Sequence, residues 1–521
     1  MLVSCKKSLD LAPYGSVAST EAFSTPAKCL VSLMGVYDAA QSGAYTDGTL
    51  RGYPFGAANI EQSDCRGEDL INIATFFQIT YQATYNASSA NCVGHWNSLY
   101  ALINKANVCI DGFRQAGTSG VLSAAAAAQY EAECRFLRAL SHHELMIHWA
   151  RPYRDGNGSQ IGVPYRDLAV NVPATVDLVR TLPRAVSDTV YRRILRDLDY
   201  AETNLAASLS GNDKTVRSTI AAAIALKMRV KLHMGDWAGV IAEGNKVIPA
   251  TINPLSWNTV VSPIGGWKLS LTPDAPFADN GGATNLESMF SVRHSSIDNV
   301  GPNGSLAAMF GSATLGGRGL VAISPVIWNN SGWRCDDLRR TALYVSGNNA
   351  NAGTSFFTTK YRDYVNRGDY APQIRYAEVL LTQAEAEARN AGATISQRAI
   401  DLLNTVRNRS IPTPATNQYV AANFATSVDL VKAILLERRI EFLAEGKRWG
   451  DISRLAVDAA YTTGGIPAKA VNGASGAAIY NCGTTYTPGL AGITYSDFRF
   501  LWPIPSAEII DNPVVTQNPG Y

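Results

Sequence analysis

The chain has 521 residues, of which 46% are hydrophobic and 17% charged, and its formal net charge is +2. This length exceeds the ~250–300 residues at which one hydrophobic core stops growing, so we expect several domains or a helical scaffold with insertions. A near-neutral balance without a basic stripe argues against nucleic acid as a partner. No apolar run reaches the ~18 residues of a membrane-spanning helix.

The first residues place a cysteine in a setting typical of bacterial lipoproteins. Cys5 follows residues 2–4, a short run of aliphatic and small side chains of the kind that precedes an acylated cysteine. We therefore interpret residues 1–5 as a signal remnant with Cys5 as a lipid anchor, and residues 6–521 as a single domain. The alternative is an ordinary free thiol. The other seven cysteines contain no CxxC pair, and because seven is odd, at least one should be a free thiol.

Helical periodicity dominates the chain and comes in pairs. Residues 92–115 place Trp96 and Leu99 on one stripe at helical spacing, as a packed helix requires. The partner helix is predicted at 123–149, where Ser123 is a suitable N-cap and an alanine run favours helix. The pattern predicts an antiparallel pair of long helices.

A second pair is predicted to begin at Pro183, a favourable first-turn residue, and to be completed by residues 217–234. A quasi-repeat follows, because residues 233–248 and 388–407 each contain a helix end, a glycine, a short link and a helix with Asn-x-Val. Such pairs are typical of tetratricopeptide-like packing, in which each pair buries its face against its neighbours. We predict four such pairs.

Three long stretches lack helical periodicity and are predicted to be insertions that carry the function. They are rich in Gly, Asn, Ser and Thr and contain many aromatic residues, which argues against disorder. The insertions are 42–90, 250–370 and 458–505, and the scaffold segments are 26–41, 92–248 and 372–457.

The strongest resemblance to a metalloprotease motif is His-His-Glu at 142–144. A zinc site of that class requires HExxH, with two histidines four residues apart on one helix face. The residue four after His143 is Ile147, and His148 lies about 140° further round a helix from His143. The spacing therefore predicts a packing role rather than a metal site.

The carboxylates Glu437, Glu441 and Glu445 recur at a spacing of four residues, which resembles a pair of catalytic acids. Basic residues are interleaved with them, so we predict a helix-stabilising ion network instead. The chain also contains no GxSxG nucleophile motif and no complete phosphate-binding P-loop. No motif indicates catalytic residues or a cofactor-binding site.

Several blocks of the sequence are similar to one known family. In the second half they are IRYAEVLLTQAEAEARN at 374–390, ILLERRIEFLAEGKRWGDISRL at 434–455 and LWPIPSAEIIDNPVVTQNPGY at 501–521. In the first half they are SCKKSLDLAP from residue 4, HWNSLYALINKAN at 95–107 and AECRFLRALSHHELMIHWARPY at 132–153. In this order the blocks resemble SusD/RagB proteins, and they leave the long insertions unmatched.

The resemblance implies a mainly α, SusD-like fold in which four tetratricopeptide-like helix pairs support a loop-rich ligand face. It also implies attachment to the outer membrane at the cell surface through Cys5. It further implies non-catalytic binding of oligosaccharides as the lid of a SusC-like TonB-dependent transporter. Peptide binding, as in RagB-like proteins, is the alternative ligand class. A surface glycoside hydrolase and a tetratricopeptide-type adaptor are the alternatives from other functional classes.

The candidate ligand-binding residues lie in the first two insertions. Aromatic rings stack on the apolar faces of sugars, and polar side chains take the hydroxyl hydrogen bonds. We therefore predict a ligand platform of Trp257, Trp267, Trp328 and Trp333, together with Asp64, Arg66, Tyr81 and Tyr85. The alternative for each ring is that it packs its insertion onto the scaffold.

Overall fold

The structure is a computed structural model that describes residues 19–42, 51–278 and 284–521. The proposed anchor Cys5 and its flanking block lie outside the described residues. The mainly helical fold predicted from periodicity is confirmed.

The helices are α1 (Ser19–Ala22), α2 (Pro26–Ser42), α3 (Ala57–Cys65), α4 (Gln78–Tyr81), α5 (Ala90–Thr118), α6 (Ala124–Trp149), α7 (Pro173–Val179), α8 (Ser187–Asn204), α9 (Asp213–Val216), α10 (Ile220–Met234), α11 (Trp237–Gly244), α12 (Ala275–Ala278), α13 (Leu306–Phe310), α14 (Pro325–Trp328), α15 (Arg339–Ala342), α16 (Tyr376–Asn390), α17 (Gln397–Arg407), α18 (Pro414–Asn417), α19 (Ser427–Glu441), α20 (Arg448–Leu455) and α21 (Ser506–Asp511). The strands are β1 (Leu70–Asn72), β2 (Ser288–Val292), β3 (Val321–Ile323), β4 (Tyr344–Asn348), β5 (Thr354–Thr358), β6 (Ala371–Arg375), β7 (Gly465–Ile466) and β8 (Ile493–Thr494).

The scaffold is a series of helices in which each packs on the next. Helix α5 packs on α6, α6 on α8, and α8 on α10, while α16 packs on α11, α17 and α19. The first predicted pair matches α5 and α6. The hydroxyl of Ser123 accepts a hydrogen bond from the backbone N–H of Ala126 at 3.2 Å and caps α6 as predicted.

The predicted start of the second pair is wrong by one helical turn. Pro183 precedes α8, which begins at Ser187, because the residues between them are extended and Val186 forms a β-bridge with Ile161. The Nε of Arg184 donates to the carbonyl of Gly162 at 2.7 Å and holds this extended segment in place. Tertiary pairing therefore delays the helix beyond its first favourable residue.

The two glycines of the quasi-repeat occupy equivalent turns. Gly235 follows α10 with φ +77°, and Gly392 follows α16 with φ +63°. Both values lie in the left-handed region that favours glycine. Each turn reverses the chain into the next helix, α11 or α17.

The strands form small antiparallel sheets. The pairs are β1 with β3, β2 with β6, β4 with β5, and β7 with β8. The β1–β3 pair aligns Leu70 with Ile323 and so joins the first predicted insertion to the second. The strands thus connect the non-helical segments to one another and not only to the scaffold.

An ion network is buried at the end of α19, but its partners differ from those predicted. Glu441 accepts hydrogen bonds from Arg339, Arg375 and Arg409, whereas basic residues of its own helix pair elsewhere. Arg438, for example, pairs with Asp451. The network is therefore tertiary, since it ties α19 to other segments rather than stabilising the helix by itself.

The histidines of the rejected zinc motif pack inside the fold. The ring of His142 stacks on Tyr165 at 4.0 Å between centroids, and its Nε2 accepts a hydrogen bond from the backbone N–H of Arg166. His143 is buried against His233 and Tyr191. Within the described ranges, no group of three or more His, Cys, Asp or Glu side chains is arranged to hold a metal ion.

Candidate ligand-binding site

The three predicted insertions meet on one part of the molecule. Asn72 at the end of β1 lies at the junction, because its side-chain amide donates to the Oδ1 of Asn472 at 2.7 Å. Its backbone carbonyl accepts a hydrogen bond from the N–H of Gly473 at 2.8 Å. Through β1 and β3 the same residue also contacts the second insertion. The segments expected to carry the function therefore form a single surface region.

A disulfide fixes two of these insertions together. Cys335 of the second insertion is bonded to Cys482 of the third, 147 residues away. Beside it, the side-chain amide of Asn329 donates to the carbonyl of Ile479 and its Oδ1 accepts from the N–H of Asn481, both at 2.8 Å. The loops are therefore held in a defined arrangement, as a preformed binding surface requires.

Three of the four tryptophans predicted as a platform are buried. Trp328 is 7% exposed and its ring stacks on Phe356 at 4.1 Å, while Trp333 is 1% exposed and packs edge-on against Trp328. Trp267 is fully buried, with the ammonium of Lys214 4.9 Å from its ring centroid. These rings pack the insertion together, the alternative that the sequence left open, and none presents a free face to a ligand in this structure.

The predicted polar and tyrosine ligands of the early loop are buried as well. Arg66 is enclosed by aromatic rings, and Asp64 accepts hydrogen bonds from the backbone N–H groups of Gly446 and Arg448. The hydroxyl of Tyr81 donates to the carbonyl of Ala470. These side chains tie the first insertion to the C-terminal part of the chain, so their geometry gives no support to a ligand contact.

Tyr85 and Trp257 complete the predicted set. Tyr85 is buried and its hydroxyl donates to the carbonyl of Arg499. Trp257 lies on the 3₁₀ turn Pro254–Thr259, which packs on α17, and it is half-buried. Of the eight predicted residues, Trp257 alone keeps part of its ring accessible, and ligand binding by the set stays a prediction.

Phe76, which the sequence analysis did not predict, is more accessible to a ligand than the buried rings of the predicted set. Phe76 is half-buried, whereas its neighbour Phe77 is buried, because successive side chains before α4 point in different directions. The guanidinium of Arg51 lies 5.4 Å and that of Arg318 5.3 Å from the Phe76 ring centroid. We call Phe76, Arg51, Arg318 and Asn303 the Phe76 platform.

The Phe76 platform carries two guanidinium groups. Arg318 donates to the Oδ1 of Asn303 at 2.8 Å, and neither Arg318 nor Arg51 has an ion-pair partner in the ranges that the structure describes. Glu61 on α3 is the carboxyl whose charge acts on Arg318, but burial raises its pKa well above the usual range despite that arginine. In the described residues Arg318 donates only through its Nη1, so its guanidinium keeps N–H donors for a ligand.

The Phe76 platform combines features that suit a sugar. A partly exposed aromatic ring supplies apolar surface for the C–H groups of a pyranose, and guanidinium and amide groups offer donors to its hydroxyls. The residues come from the first insertion (Arg51 and Phe76) and the second (Asn303 and Arg318). The platform is therefore a direct product of the junction between insertions.

Two family models match the chain. Residues 331–521 match the model described as "SusD family", and residues 9–232 match the one described as "Starch-binding associating with outer membrane". Together they leave residues 1–8 and 233–330 unmatched.

Individual SusD-like proteins are similar to this chain over longer spans than the family models cover. The SusD-like protein P2 of Formosa agariphila is 25% identical over 82% of this chain and 80% of its own length. The crystal structure of a SusD superfamily protein from Bacteroides fragilis is 24% identical, covers 95% of this chain and 99% of its own, and has a TM-score of 0.73. Surface glycan-binding protein A from Bacteroides uniformis is 19% identical, with coverage of 95% and 99% and a TM-score of 0.68. These structures establish a shared fold.

Within residues 19–42, 51–278 and 284–521, none of the helices combines the length and the apolar character needed to cross a bilayer.

Proposed function

Since the chain belongs to the SusD/RagB family, we propose that it is a non-catalytic receptor that binds oligosaccharides at the cell surface. The observation that carries the proposal is the Phe76 platform, in which a half-buried ring is flanked by two guanidinium groups that have no carboxylate partner among the described residues. A relative of the same fold is described as a surface glycan-binding protein, which supports the ligand class.

The proposal includes outer-membrane attachment and a transporter. We propose that Cys5 carries the lipid anchor and that the protein acts as the lid of a SusC-like TonB-dependent transporter. The family description "associating with outer membrane" supports the location. The disulfide between Cys335 and Cys482 supports it independently, because disulfides persist in oxidising compartments outside the cytoplasm.

Sugar binding is tested by isothermal titration of the purified chain against neutral oligosaccharides and short peptides. Changing Phe76→Ala is expected to weaken binding of the best oligosaccharide at least tenfold, because the ring supplies the stacking face. The matched control is Phe498→Ala, which removes an exposed phenylalanine outside the platform. Thermal melting of both variants checks that the fold is kept.

The outcomes separate the candidate classes. Saturable sugar binding that is lost in Phe76→Ala and kept in Phe498→Ala supports the receptor. Binding of peptides alone would replace the ligand class with the peptide alternative. Release of reducing sugars during incubation would instead support a hydrolase, and binding of neither class would support a protein adaptor.

The anchor and the partner are tested in cells. Changing Cys5→Ala is expected to move the protein from the outer-membrane fraction to the soluble fraction, and an affinity-tagged wild-type chain should co-purify with a TonB-dependent transporter. If Cys5→Ala stayed in the outer membrane, the anchor assignment would be wrong.

A further inference from the structure

A groove of about 350 Å³ lies over the last two scaffold helices and shares no residue with the Phe76 platform. Its apolar part is formed by Leu435 and Leu436 of α19 and by Ile452 and Leu455 of α20. Tyr461, Thr462 and Thr463 follow α20 at one side, and Asn330 of the second insertion also lines it. The volume falls within the ~300–1,000 Å³ of small-ligand sites.

Two arginines of this groove are held in fixed positions by carboxylates. The Nε and Nη2 of Arg439 donate to the carboxylate of Asp69 at 3.1 and 2.5 Å. The Nε and Nη2 of Arg448 donate to Glu68 at 3.1 and 2.6 Å. Both pairs use the same edge of the guanidinium, so the Nη1 group of each arginine has no partner in the described part of the chain. Such bidentate pairing orients the remaining donors without using them.

Lys432 and Asn330 add further donors to the groove. Lys432 is exposed and forms no ion pair with any residue that the structure describes. The Oδ1 of Asn330 already accepts a hydrogen bond from the N–H of Gly332 at 2.9 Å, which leaves its amide NH₂ group for a ligand. None of the described residues that line the groove is Asp or Glu. The side chains that line the groove therefore offer three cationic donors, and their acceptors are the hydroxyls of Tyr461, Thr462 and Thr463 rather than carboxylates.

We propose that this groove binds an acidic saccharide, whose carboxylate or sulfate group is held by Lys432, Arg439 and Arg448. The sugar ring lies on the apolar floor beside Tyr461, and its hydroxyls accept from Asn330. The proposal deepens the proposed function, on which it rests for a saccharide as the ligand. It adds a second site that is specific for anionic saccharides, whereas the Phe76 platform is proposed to bind neutral ones.

The physical reason for an anion is the balance of donors and acceptors. A neutral sugar hydroxyl needs both a donor and an acceptor, whereas carboxylate and sulfate groups accept only. Charge-assisted hydrogen bonds are about twice as strong as neutral ones, so three cationic donors favour an anionic group over a hydroxyl. Because Asp69 and Glu68 neutralise part of the arginine charge, Lys432 supplies the net positive charge of the groove.

The test compares charged and uncharged saccharides of one length. Isothermal titration is performed with tetragalacturonate, a sulfated galactose tetrasaccharide and neutral galactotetraose. Wild-type protein is compared with Lys432→Glu and with the matched control Lys105→Glu. Lys105 is an exposed lysine of α5 without an ion pair in the described residues, so both variants change the net charge equally.

We expect at least one acidic tetrasaccharide to bind, and its affinity to fall at least tenfold in Lys432→Glu but less than twofold in Lys105→Glu. Binding of galactotetraose, where present, should be unchanged in Lys432→Glu. Because Lys432 is exposed, its substitution does not disturb the core.

Three results would overturn the groove assignment. They are the absence of binding by both acidic tetrasaccharides, an equal loss in Lys432→Glu and Lys105→Glu, and a loss only in Phe76→Ala, which would place the acidic ligand on the Phe76 platform. Equally tight binding of a tetraglutamate peptide would reject the saccharide class. In each case, binding of neutral sugars that depends on Phe76 would still support the proposed receptor function. Failure of the groove proposal can therefore be distinguished from failure of the proposed function.

Discussion

The guanidinium of Arg66 lies 3.5 Å from the centroid of the Trp449 ring, in the interior of the protein. On its other sides, the Trp502 ring centroid is 5.0 Å away, His148 contacts Nη1 at 3.0 Å, and the carbonyl of Phe500 accepts from Nη2 at 2.6 Å. No carboxylate in the described residues pairs with Arg66, so burial lowers its pKa. An arginine of the first insertion thus joins two tryptophans of the C-terminal part.

Changing Arg66→Lys should lower the free energy of unfolding by about 2–4 kcal/mol, because an ammonium keeps the charge but loses the planar stacking and one of the charged hydrogen bonds. Guanidinium denaturation measures the change. The exposed Arg192, changed to Lys, serves as the control and should shift stability by less than about 0.5 kcal/mol. If Arg66→Lys kept its stability but no longer bound the oligosaccharide, Arg66 would be a ligand-binding residue, as the sequence analysis predicts.

Changing Trp328→Ala should lower the free energy of unfolding by about 3–5 kcal/mol, since it opens a cavity beside Phe356 and Trp333. The half-buried Trp257, changed to Ala, should cost less because part of its ring already contacts solvent. Both values are measured by chemical denaturation. If Trp328→Ala kept full stability but lost sugar binding, Trp328 would contact the sugar, as the sequence analysis predicts.

Removing the disulfide should loosen the junction of the insertions. The double variant Cys335→Ser/Cys482→Ser is expected to be about 2–5 kcal/mol less stable than wild type, because the bond closes a long loop in the unfolded chain. A reducing agent should lower the melting temperature of wild type and leave that of the variant unchanged. The same drop in both proteins would show that the effect comes from another group, since the described cysteines also include five buried thiols.

The protein should lose stability in acid because buried histidines must remain neutral. Burial, with the neighbouring His148 contributing, lowers the pKa of His95 to about 3, and burial lowers the pKa of His294 to about 4. An unfolded histidine titrates near 6.5. Above that pH both states are neutral, and as the pH falls below 6.5 only the unfolded state gains protons, so stability decreases down to the folded pKa.

Changing His95→Phe should reduce this pH dependence. The ring of His95 stacks on Tyr53 at 5.3 Å between centroids and packs edge-on against Trp149 and Trp502, so phenylalanine fits this aromatic site. One such histidine contributes about 2 kcal/mol to the loss between pH 7 and pH 5. The difference in unfolding free energy between these pH values should therefore be smaller by about that amount in the variant. An unchanged difference would mean that His95 does not titrate in this range.

Local patterns in the sequence were sufficient to predict the helices and turns of the scaffold. The apolar stripe around Trp96, the N-cap at Ser123 and the glycine turns at Gly235 and Gly392 depend on interactions within a few residues, and the structure contains each of them. Helical periodicity and capping are local, so a single sequence reveals them.

Only the tertiary structure decided which insertion residues face solvent. Phe76 and Phe77 are the same residue type, but the junction of the insertions buries one and leaves the other half-exposed. The pairing of Cys335 with Cys482 and the contact between Arg66 and Trp449 join positions far apart in the chain. Burial in a loop without periodicity depends on these distant partners, which is why the sequence by itself determined the scaffold and the class of binding surface but not its exposed residues.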